Sequence, residues 1–271
     1  MLSWRKPPSF WKDPQSIFVK LLWPFSCLVT AIGRYRRRNA TPYQAEISVI
    51  CVGNVTVGGT GKTPIVMALA QLLQQQGFTP HILSRGFGVK LKEPRRVDPL
   101  DAAESVGDEP LLLAKKAPTW VYPDRVQTAK LAVAAGADIL LLDDGFQNPF
   151  LHQDLKLLVV DGNQGFGNQA VLPAGPLREP LSDALKRADA VLLYGSMADL
   201  SWGSHKPFFN VELISTQYPA PTPYVAFAAI GHPEKFFNSL RQKGFLLKKT
   251  VCFPDHHFYD PHTLQKLIQM A

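Results

Sequence analysis

The chain has 271 residues, of which 46% are hydrophobic and 19% charged, and its formal net charge is +7. This length suits one α/β domain with an appendage, or two small domains. The three cysteines are scattered and form no Cys-x-x-Cys pair, which argues against a disulfide framework or a zinc knuckle and fits a reducing cytosol.

The excess positive charge lies at the amino terminus. Residues 1–40 contain eight of the 29 basic residues and only one of the 22 acidic residues. The rest of the chain is therefore formally neutral, which argues against a basic groove for nucleic acid. No nucleic-acid partner is expected, and no protein partner is inferred.

The same end of the chain contains an apolar stretch of 17 residues, Ile17–Gly33, interrupted by Lys20 and Pro24. On a helical wheel, eight apolar side chains share one arc. These are Ile17, Phe18, Leu21, Leu22, Phe25, Leu28, Val29 and Ile32. With tryptophans before and within it and the arginines of RYRRR after it, the pattern predicts a helix lying in an anionic leaflet.

Two alternatives to this interfacial helix stay open, a membrane-spanning helix and a helix packed on the domain. The stretch is at the short limit for spanning a bilayer. A cleaved signal peptide fits poorly, because arginines follow the apolar run where small residues would mark a cleavage site.

A phosphate-binding pattern follows. A buried strand over 46–54 leads into the stretch NVTVGGTGKTPIV and then into a helix. The pattern G-x-x-x-x-G-K-[ST] requires glycine where Thr56 stands, but the strand, loop and helix that it needs as context are predicted. Backbone N–H groups of 58–63 would cradle phosphate oxygens, Lys62 would reach the terminal phosphates and Thr63 would hold magnesium. The alternative is an ordinary glycine-rich turn. The predicted nucleotide-binding residues of the loop are Thr56, Gly58, Gly59, Thr60, Gly61, Lys62 and Thr63.

Short apolar runs then alternate with helical patterns. In the helix after the loop, Ile65, Leu69, Leu72 and Leu73 are predicted to point inward. Apolar runs begin at His81, Thr119, Asp138, Leu155 and Ala188. Such alternation predicts an α/β fold of the P-loop NTPase type, a parallel sheet with helices on both faces.

One of these runs, DILLLDDG, ends in adjacent carboxylates, Asp143 and Asp144. They would lie at the carboxyl edge of the sheet, where the phosphate loop also lies. This is the Walker B arrangement, in which an aspartate holds magnesium directly or through water.

The texture of the sequence changes near residue 215, after which a proline-rich joint precedes a further strand–helix–strand–helix pattern. The predicted organisation is an N-terminal membrane-anchoring segment over 1–40, a P-loop core over 41–214 and a smaller α/β lobe over 215–271.

Three other groups are ambiguous on spacing alone. Asp108 and Glu109 in VGDEP open a predicted helix, where acidic residues are common for electrostatic reasons. PDHHF contains an Asp–His pair able to act as a base, although surface histidines are commoner. Arg178 in LPAGPLREP could clamp a phosphate.

Together and in this order, these motifs resemble the tetraacyldisaccharide 4′-kinase family of lipid A (lipopolysaccharide) biosynthesis. The matching stretches are GNVTVGGTGKTP, SRGFG, VGDEP, LLLDDGFQ, LPAGPLREP, AIGHPEKFF and FPDHHFY, spread over residues 53–259. The resemblance implies transfer of the ATP γ-phosphate to the 4′-hydroxyl of a tetraacylated glucosamine disaccharide, at the cytoplasmic face of the bacterial inner membrane. In that family the loop has serine or threonine where Thr56 stands.

The resemblance also implies roles for particular residues. Lys62 and Thr63 would bind ATP and Mg²⁺, and Asp108 would be the catalytic aspartate, assisted by His256 and Asp255. Further residues implied in the metal, phosphate or nucleotide region are Glu109, Asp143, Asp144, Gln147, Arg178 and Glu179.

Two departures from the family pattern bear on activity. Asn148 stands where the family usually has histidine, and a TEKDAVK-like stretch of the family has no counterpart before Ala271. The C-terminal lobe is therefore expected to be shortened. A membrane-associated P-loop protein without kinase activity, serving as a scaffold or as a nucleotide-hydrolysis switch, is the alternative function.

Overall fold

The computed structural model describes residues 7–197, 200–203, 205–212, 214, 220, 222–230, 233–254, 257 and 259–270. The chain divides into two compact units. The larger is Ser9–Glu212, called the core unit below, and the smaller consists of Leu213–Ala271 together with residues 1–8.

The core unit alternates helices and strands. After a short 3₁₀ turn at Ser9–Lys12, its helices are α1 (Ile17–Asn39), α2 (Lys62–Gln75), α3 (Ala103–Val106), α4 (Asp108–Ala114), α5 (Arg125–Ala134) and α6 (Leu181–Arg187). Its strands are β1 (Ser48–Gly53), β2 (Pro80–Ser84), β3 (Arg95–Arg96), β4 (Thr119–Val121), β5 (Ile139–Asp143), β6 (Leu155–Asp161), β7 (Ala190–Tyr194) and β8 (Phe208–Val211).

The eight strands form one sheet in the order β3-β4-β2-β5-β1-β6-β7-β8. Every pair is parallel except β3 with β4 at one edge. Strand β1 is central, between β5 and β6, so the loop that follows β1 leaves the middle of the sheet. Parallel central strands are buried on both faces, and β2 and β5 accordingly consist entirely of buried residues.

Helices cover both faces of this sheet, which confirms the predicted fold class. One apolar cluster joins the sheet to α2 and the end of α4, and the other joins it to α5 and α6. Val66 and Ala70 are the buried residues of α2. The prediction that Leu72 points inward is wrong, since its side chain is 56% exposed. Val66 and Ala70 are one helical turn apart and define the inward face, and Leu72 lies outside it.

Helix α1 presents its predicted apolar arc to the outside. Leu21, Phe25 and Leu28 are each more than half exposed, whereas Ser26, outside the arc, is the buried residue of the helix. By length and composition α1 could cross a membrane, with a mean hydropathy of 1.4 over its 18-residue window. An apolar arc turned away from the protein argues against the packed-helix alternative.

The smaller unit contains strands β9 (Tyr224–Ala228) and β10 (Leu247–Cys252) and helices α7 (Pro233–Gln242) and α8 (Pro261–Met270). The two strands are parallel, and Phe237 of α7 is fully buried against them. The predicted strand–helix–strand–helix order is present.

Candidate nucleotide site

The phosphate loop starts beside the paired aspartates because their strands are neighbours. In the register of β1 and β5, Val52 lies opposite Asp143, and the Asp144 N–H donates to the Val52 carbonyl at 3.0 Å. Gly53 passes so close to Phe146 that an added Cβ would collide with the Phe146 Cβ. The loop and the aspartates thus share the carboxyl edge of the sheet.

Glycine and asparagine set the shape of the loop. Gly58 has φ 103° and Gly61 has φ 81°, in the region that favours glycine. The buried Asn54 side chain donates to the Thr56 carbonyl at 2.8 Å and to Thr60 Oγ1 at 3.0 Å. Asn54 therefore braces the loop from inside, a role that the sequence did not reveal.

The loop is also paired with the segment Val171–Glu179, called the strap below. Val57 N–H donates to the Pro176 carbonyl at 2.9 Å, and Arg178 N–H donates to the Val55 carbonyl at 2.7 Å. Between these bonds Thr56 forms an antiparallel bridge with Leu177. Thr56 is thus extended, a conformation that does not need glycine, and this explains why the loop tolerates threonine there.

Three of the predicted residues meet at the mouth of the loop. Arg178 Nη1 lies 2.8 and 3.0 Å from the two carboxylate oxygens of Asp144, and Lys62 Nζ lies 3.7 Å from Asp144 Oδ1. Burial raises the pKa of Asp144, but the charges of Lys62 and Arg178 outweigh it, and the net shift is downward. Two cations converging on one anion leave a net positive charge suited to phosphate.

Asp143 has a different environment from its neighbour. Burial, and then the negative charges of Glu109 and Asp144, raise its pKa to about 7. Its Oδ1 is buried without a hydrogen-bond partner among the described residues. Arg125, also buried, donates from Nη2 to the Asp143 backbone carbonyl at 3.1 Å. This oxygen is therefore an acceptor without a donor among the described residues, as expected of a cation ligand.

The acidic pair of VGDEP lies at the start of α4. Gly107, with φ 96°, precedes Asp108 and Glu109 in the first turn of this helix. Glu109 is close enough to Asp143 to raise its pKa. Asp255 and His256 lie outside the described residues. Their neighbour His257 stacks on Phe253 with ring centroids 4.7 Å apart.

Gln147 and Glu179 meet beneath the loop. Gln147 Nε2 donates to the Asn54 carbonyl at 2.8 Å and to Glu179 Oε1 at 3.1 Å. Arg187 Nη2 donates to both Glu179 oxygens, at 2.8 and 2.9 Å. Asn148, where the resembled family has histidine, shapes a turn by accepting the Phe150 N–H at 2.8 Å.

The predicted metal residues do not form a complete metal cage. No group of three or more His, Cys, Asp or Glu side chains among the described parts of the chain could hold an ion. Mg²⁺ in nucleotide sites is typically held by one or two carboxylates, with phosphate and water completing the shell. The orphaned Asp143 Oδ1 fits that requirement.

This fold and site define the chain as a P-loop nucleotide-binding protein. A glycine-rich loop follows a central parallel strand, and its lysine lies beside an aspartate at the end of the adjacent strand.

Comparison with known proteins gives the family. The model of the LpxK family, tetraacyldisaccharide-1-P 4′-kinase, matches residues 18–271, and the chain belongs to this family. Tetraacyldisaccharide 4′-kinase of Gluconobacter oxydans is 50% identical over 97% of this chain and 83% of its own length. The corresponding protein of Parvibaculum lavamentivorans is 44% identical over 98% of this chain and 82% of its own length.

A solved structure agrees with this assignment. The crystal structure of LpxK from Aquifex aeolicus in complex with ATP matches with a TM-score of 0.76 and 31% identity. The match covers 90% of this chain and 84% of that one. The family resemblance stated from the motifs is confirmed.

Proposed function

We infer that this chain is an ATP-dependent tetraacyldisaccharide 4′-kinase, a phosphotransferase of lipid A biosynthesis with an alcohol acceptor. The observation that carries the inference is the convergence of Lys62 and Arg178 on Asp144 at the mouth of the phosphate loop, in a chain of this family. Family membership does not favour a nucleotide-binding protein without kinase activity.

ATP would bind with its triphosphate at the loop. Backbone N–H groups from Gly58 to Thr63 would face the phosphate oxygens, and Lys62 and Arg178 would neutralise the terminal phosphates. Gln147 donates a hydrogen bond to the carbonyl of Asn54, where the loop starts, and a second one to Glu179.

We propose that Mg²⁺ accompanies ATP. Asp143 would hold it, with Thr63, Asp144 and Glu109 as the other nearby oxygen donors. Such an ion would supply positive charge that offsets the negative charge of the phosphates during transfer.

Asp108 is proposed as the general base for the acceptor. The 4′-hydroxyl oxygen forms a bond to the γ-phosphorus while the bond from that phosphorus to the β–γ bridging oxygen breaks, and ADP leaves. The hydroxyl proton passes to the Asp108 carboxylate. The family resemblance assigns His256 and Asp255 the role of assisting this base.

We propose that α1 holds the enzyme at the cytoplasmic face of the inner membrane, where the acyl chains of the substrate stay in the leaflet. Its outward apolar arc and the arginines after it support interfacial binding. Ser26, in the middle of α1, is buried against Val171. A spanning orientation would draw that part of the core unit into hydrocarbon, so the interfacial arrangement is favoured.

Kinase function is tested by transfer of γ-phosphate from ATP to a tetraacylated glucosamine disaccharide in detergent. Wild type should phosphorylate the acceptor, and Lys62→Ala and Asp108→Ala should each lower kcat/KM about 100-fold or more. Lys186→Ala, which removes an exposed lysine of α6, is the matched control. ADP release without phosphorylated acceptor would favour the hydrolysis switch and overturn the kinase inference.

Membrane binding is tested separately with anionic vesicles. Leu21→Gln combined with Leu28→Gln should weaken vesicle binding at least about tenfold, because each leucine in lipid contributes about 1.5–3 kcal/mol. Leu100→Gln is the control, since Leu100 is 94% exposed but lies outside α1. Binding of the double variant at the wild-type level would contradict the proposed anchor.

A further inference from the structure

The inward side of α1 is fastened to the strap and to α6. Ser26 Oγ donates to the Val171 carbonyl at 2.7 Å and accepts the Ala174 N–H at 3.2 Å. Eleven residues later, Arg37 Nη1 lies 3.2 Å from Glu179 Oε2. One side of the helix therefore holds the protein while the other side presents the apolar arc.

Glu179 is the junction of this attachment. Its side chain is only 3% exposed, and it contacts Arg187 from α6, Arg37 from α1 and Gln147 from the loop after β5. A carboxylate so buried requires both its charge and its lone pairs to be satisfied. Arg187 contacts both oxygens, Arg37 approaches Oε2, and Gln147 donates to Oε1.

Gln147 connects Glu179 to the phosphate loop. The same Gln147 Nε2 that donates to Glu179 also donates to the Asn54 carbonyl, at 2.8 Å. Asn54 in turn braces Thr56 and Thr60. An unbroken series of polar contacts thus runs from α1 to the residues that would surround the phosphates.

The neighbouring ion pair of α1 is of a different kind. Arg34 bonds Asp183, but its side chain is 58% exposed, and such pairs contribute little. Arg37 is 20% exposed. Burial lowers the pKa of Arg37, and the charges of Glu179 and, to a smaller extent, Asp183 oppose that shift. Arg37 Nη2 lies 3.5 Å from Asp183 of α6, so Arg37 is a desolvated cation with Glu179 as its nearer and more buried partner. Of these two arginines, Arg37 is therefore the one through which the position of α1 can affect the position of Glu179.

We propose that Arg37 is a positioning residue for ATP, acting through Glu179 and Gln147 on the start of the phosphate loop. Helix α1 is then a structural part of the nucleotide site as well as a membrane contact. The proposal rests on the proposed function, because it assigns ATP to this loop.

The main test is Arg37→Gln in the full chain, purified in detergent so that membrane binding plays no part. We expect the KM for ATP and the dissociation constant of a fluorescent ATP analogue to rise about fivefold, the size of a partly desolvated ion pair. The KM for the lipid acceptor and kcat should stay within about twofold, since only ground-state ATP binding is affected. Arg37→Lys keeps the charge and should recover part of the loss.

Two comparisons separate positioning from a general loss of structure. Lys186→Gln removes an exposed positive charge one residue from Arg187 and should leave ATP binding unchanged. In a Glu179→Gln background, Arg37→Gln should have no further effect on ATP binding, because the carboxylate through which Arg37 acts on the loop is already absent. The double variant also avoids an under-neutralised carboxylate, so it keeps the test informative should the single variant fold poorly.

The proposal is overturned by an equal effect of Arg37→Gln in both backgrounds, or by equal increases in KM for ATP and for the lipid acceptor. The readouts also separate the two levels of inference. Wild type that binds the ATP analogue without phosphorylating the acceptor would refute the proposed function, while the dissociation constants would still decide the role of Arg37.

Discussion

Replacing Asp143 with asparagine should change how the stability of the core unit depends on pH. Burial, and then the charges of Glu109 and Asp144, raise the pKa of Asp143 from the ordinary 3.8 to about 7. A carboxyl with a higher pKa in the folded state stabilises the fold when protonated. That stabilisation is fully present below about pH 4 and is lost as the pH rises through about 7.

The magnitude follows from linkage. Each unit of pKa difference corresponds to about 1.4 kcal/mol, so wild type should lose about 2.5 kcal/mol of stability through Asp143 between about pH 5 and about pH 8. Asp143→Asn has no such group and should lose about 2.5 kcal/mol less over the same range. Burying the asparagine amide also changes the unfolding free energy of the variant, but by the same amount at every pH. This change therefore drops out when the pH dependence of the variant is compared with that of wild type.

The assay is denaturant unfolding of the detergent-solubilised chain with a metal chelator present. Four of the five tryptophans lie within Ser9–Glu212, so most of the fluorescence reports the core unit. Asp124→Asn is the matched control. Burial would raise the pKa of Asp124, but hydrogen bonds from Gln127 and Val126 lower it. Asp124 therefore stays ionised over this pH range in both states, and its variant should show the wild-type pH dependence.

The reasoning about Asp143 is refuted if Asp143→Asn loses as much stability as wild type between the two pH values. That result would mean that Asp143 is ionised in the folded chain throughout this range, with its charge satisfied by Arg125 and Lys62.

Three further substitutions test other contacts. Arg178→Ala removes both bonds to Asp144 and should raise the KM for ATP about tenfold in steady-state assays; an unchanged KM would exclude a nucleotide contact. Gly53→Ala sets a Cβ against Phe146 and should lower the unfolding free energy by about 1–3 kcal/mol in the fluorescence assay, whereas wild-type stability would contradict that close approach. Ser26→Ala leaves the Ala174 N–H of the strap unpaired and removes one of the two hydrogen bonds to the Val171 carbonyl. It should cost about 1–3 kcal/mol and speed hydrogen exchange in the strap, and unchanged exchange would argue against the α1 contact.

Periodicity in the sequence predicted most of the fold, because each central strand is an apolar run. It also identified the apolar arc of α1, where a wide face of large side chains leaves little ambiguity. It failed for Leu72, because the inward face of α2 is centred on Val66 and Ala70. The four residues predicted to point inward share an arc at one side of that face, and Leu72 lies at its far edge. The short edge strand β3, Arg95–Arg96, has no apolar signal from which it could be predicted.

The candidate site likewise has a part that the sequence predicts and a part that it does not. Lys62, Asp143 and Asp144 follow from strand–loop–helix order and from the rule that carboxyl ends of parallel strands share an edge. The support beneath them could not be predicted, because it joins distant positions. Arg37 and Glu179 are 142 residues apart in the sequence, and nothing in the sequence near Arg37 indicates that Glu179 is its partner. The roles of Asp108, Asp255 and His256 stay predictions.

The two attachments of α1 also bear on the proposed contact of the enzyme with a membrane. A flexible tether would let the catalytic body tumble above the lipid. Ser26 and Arg37 are 11 residues apart, so the helix is clamped at two points separated by about 16 Å. A helix held at two points can neither rotate about its own axis nor pivot about one end. Once the apolar arc enters a leaflet, the tilt of the whole core unit against the bilayer plane is therefore set.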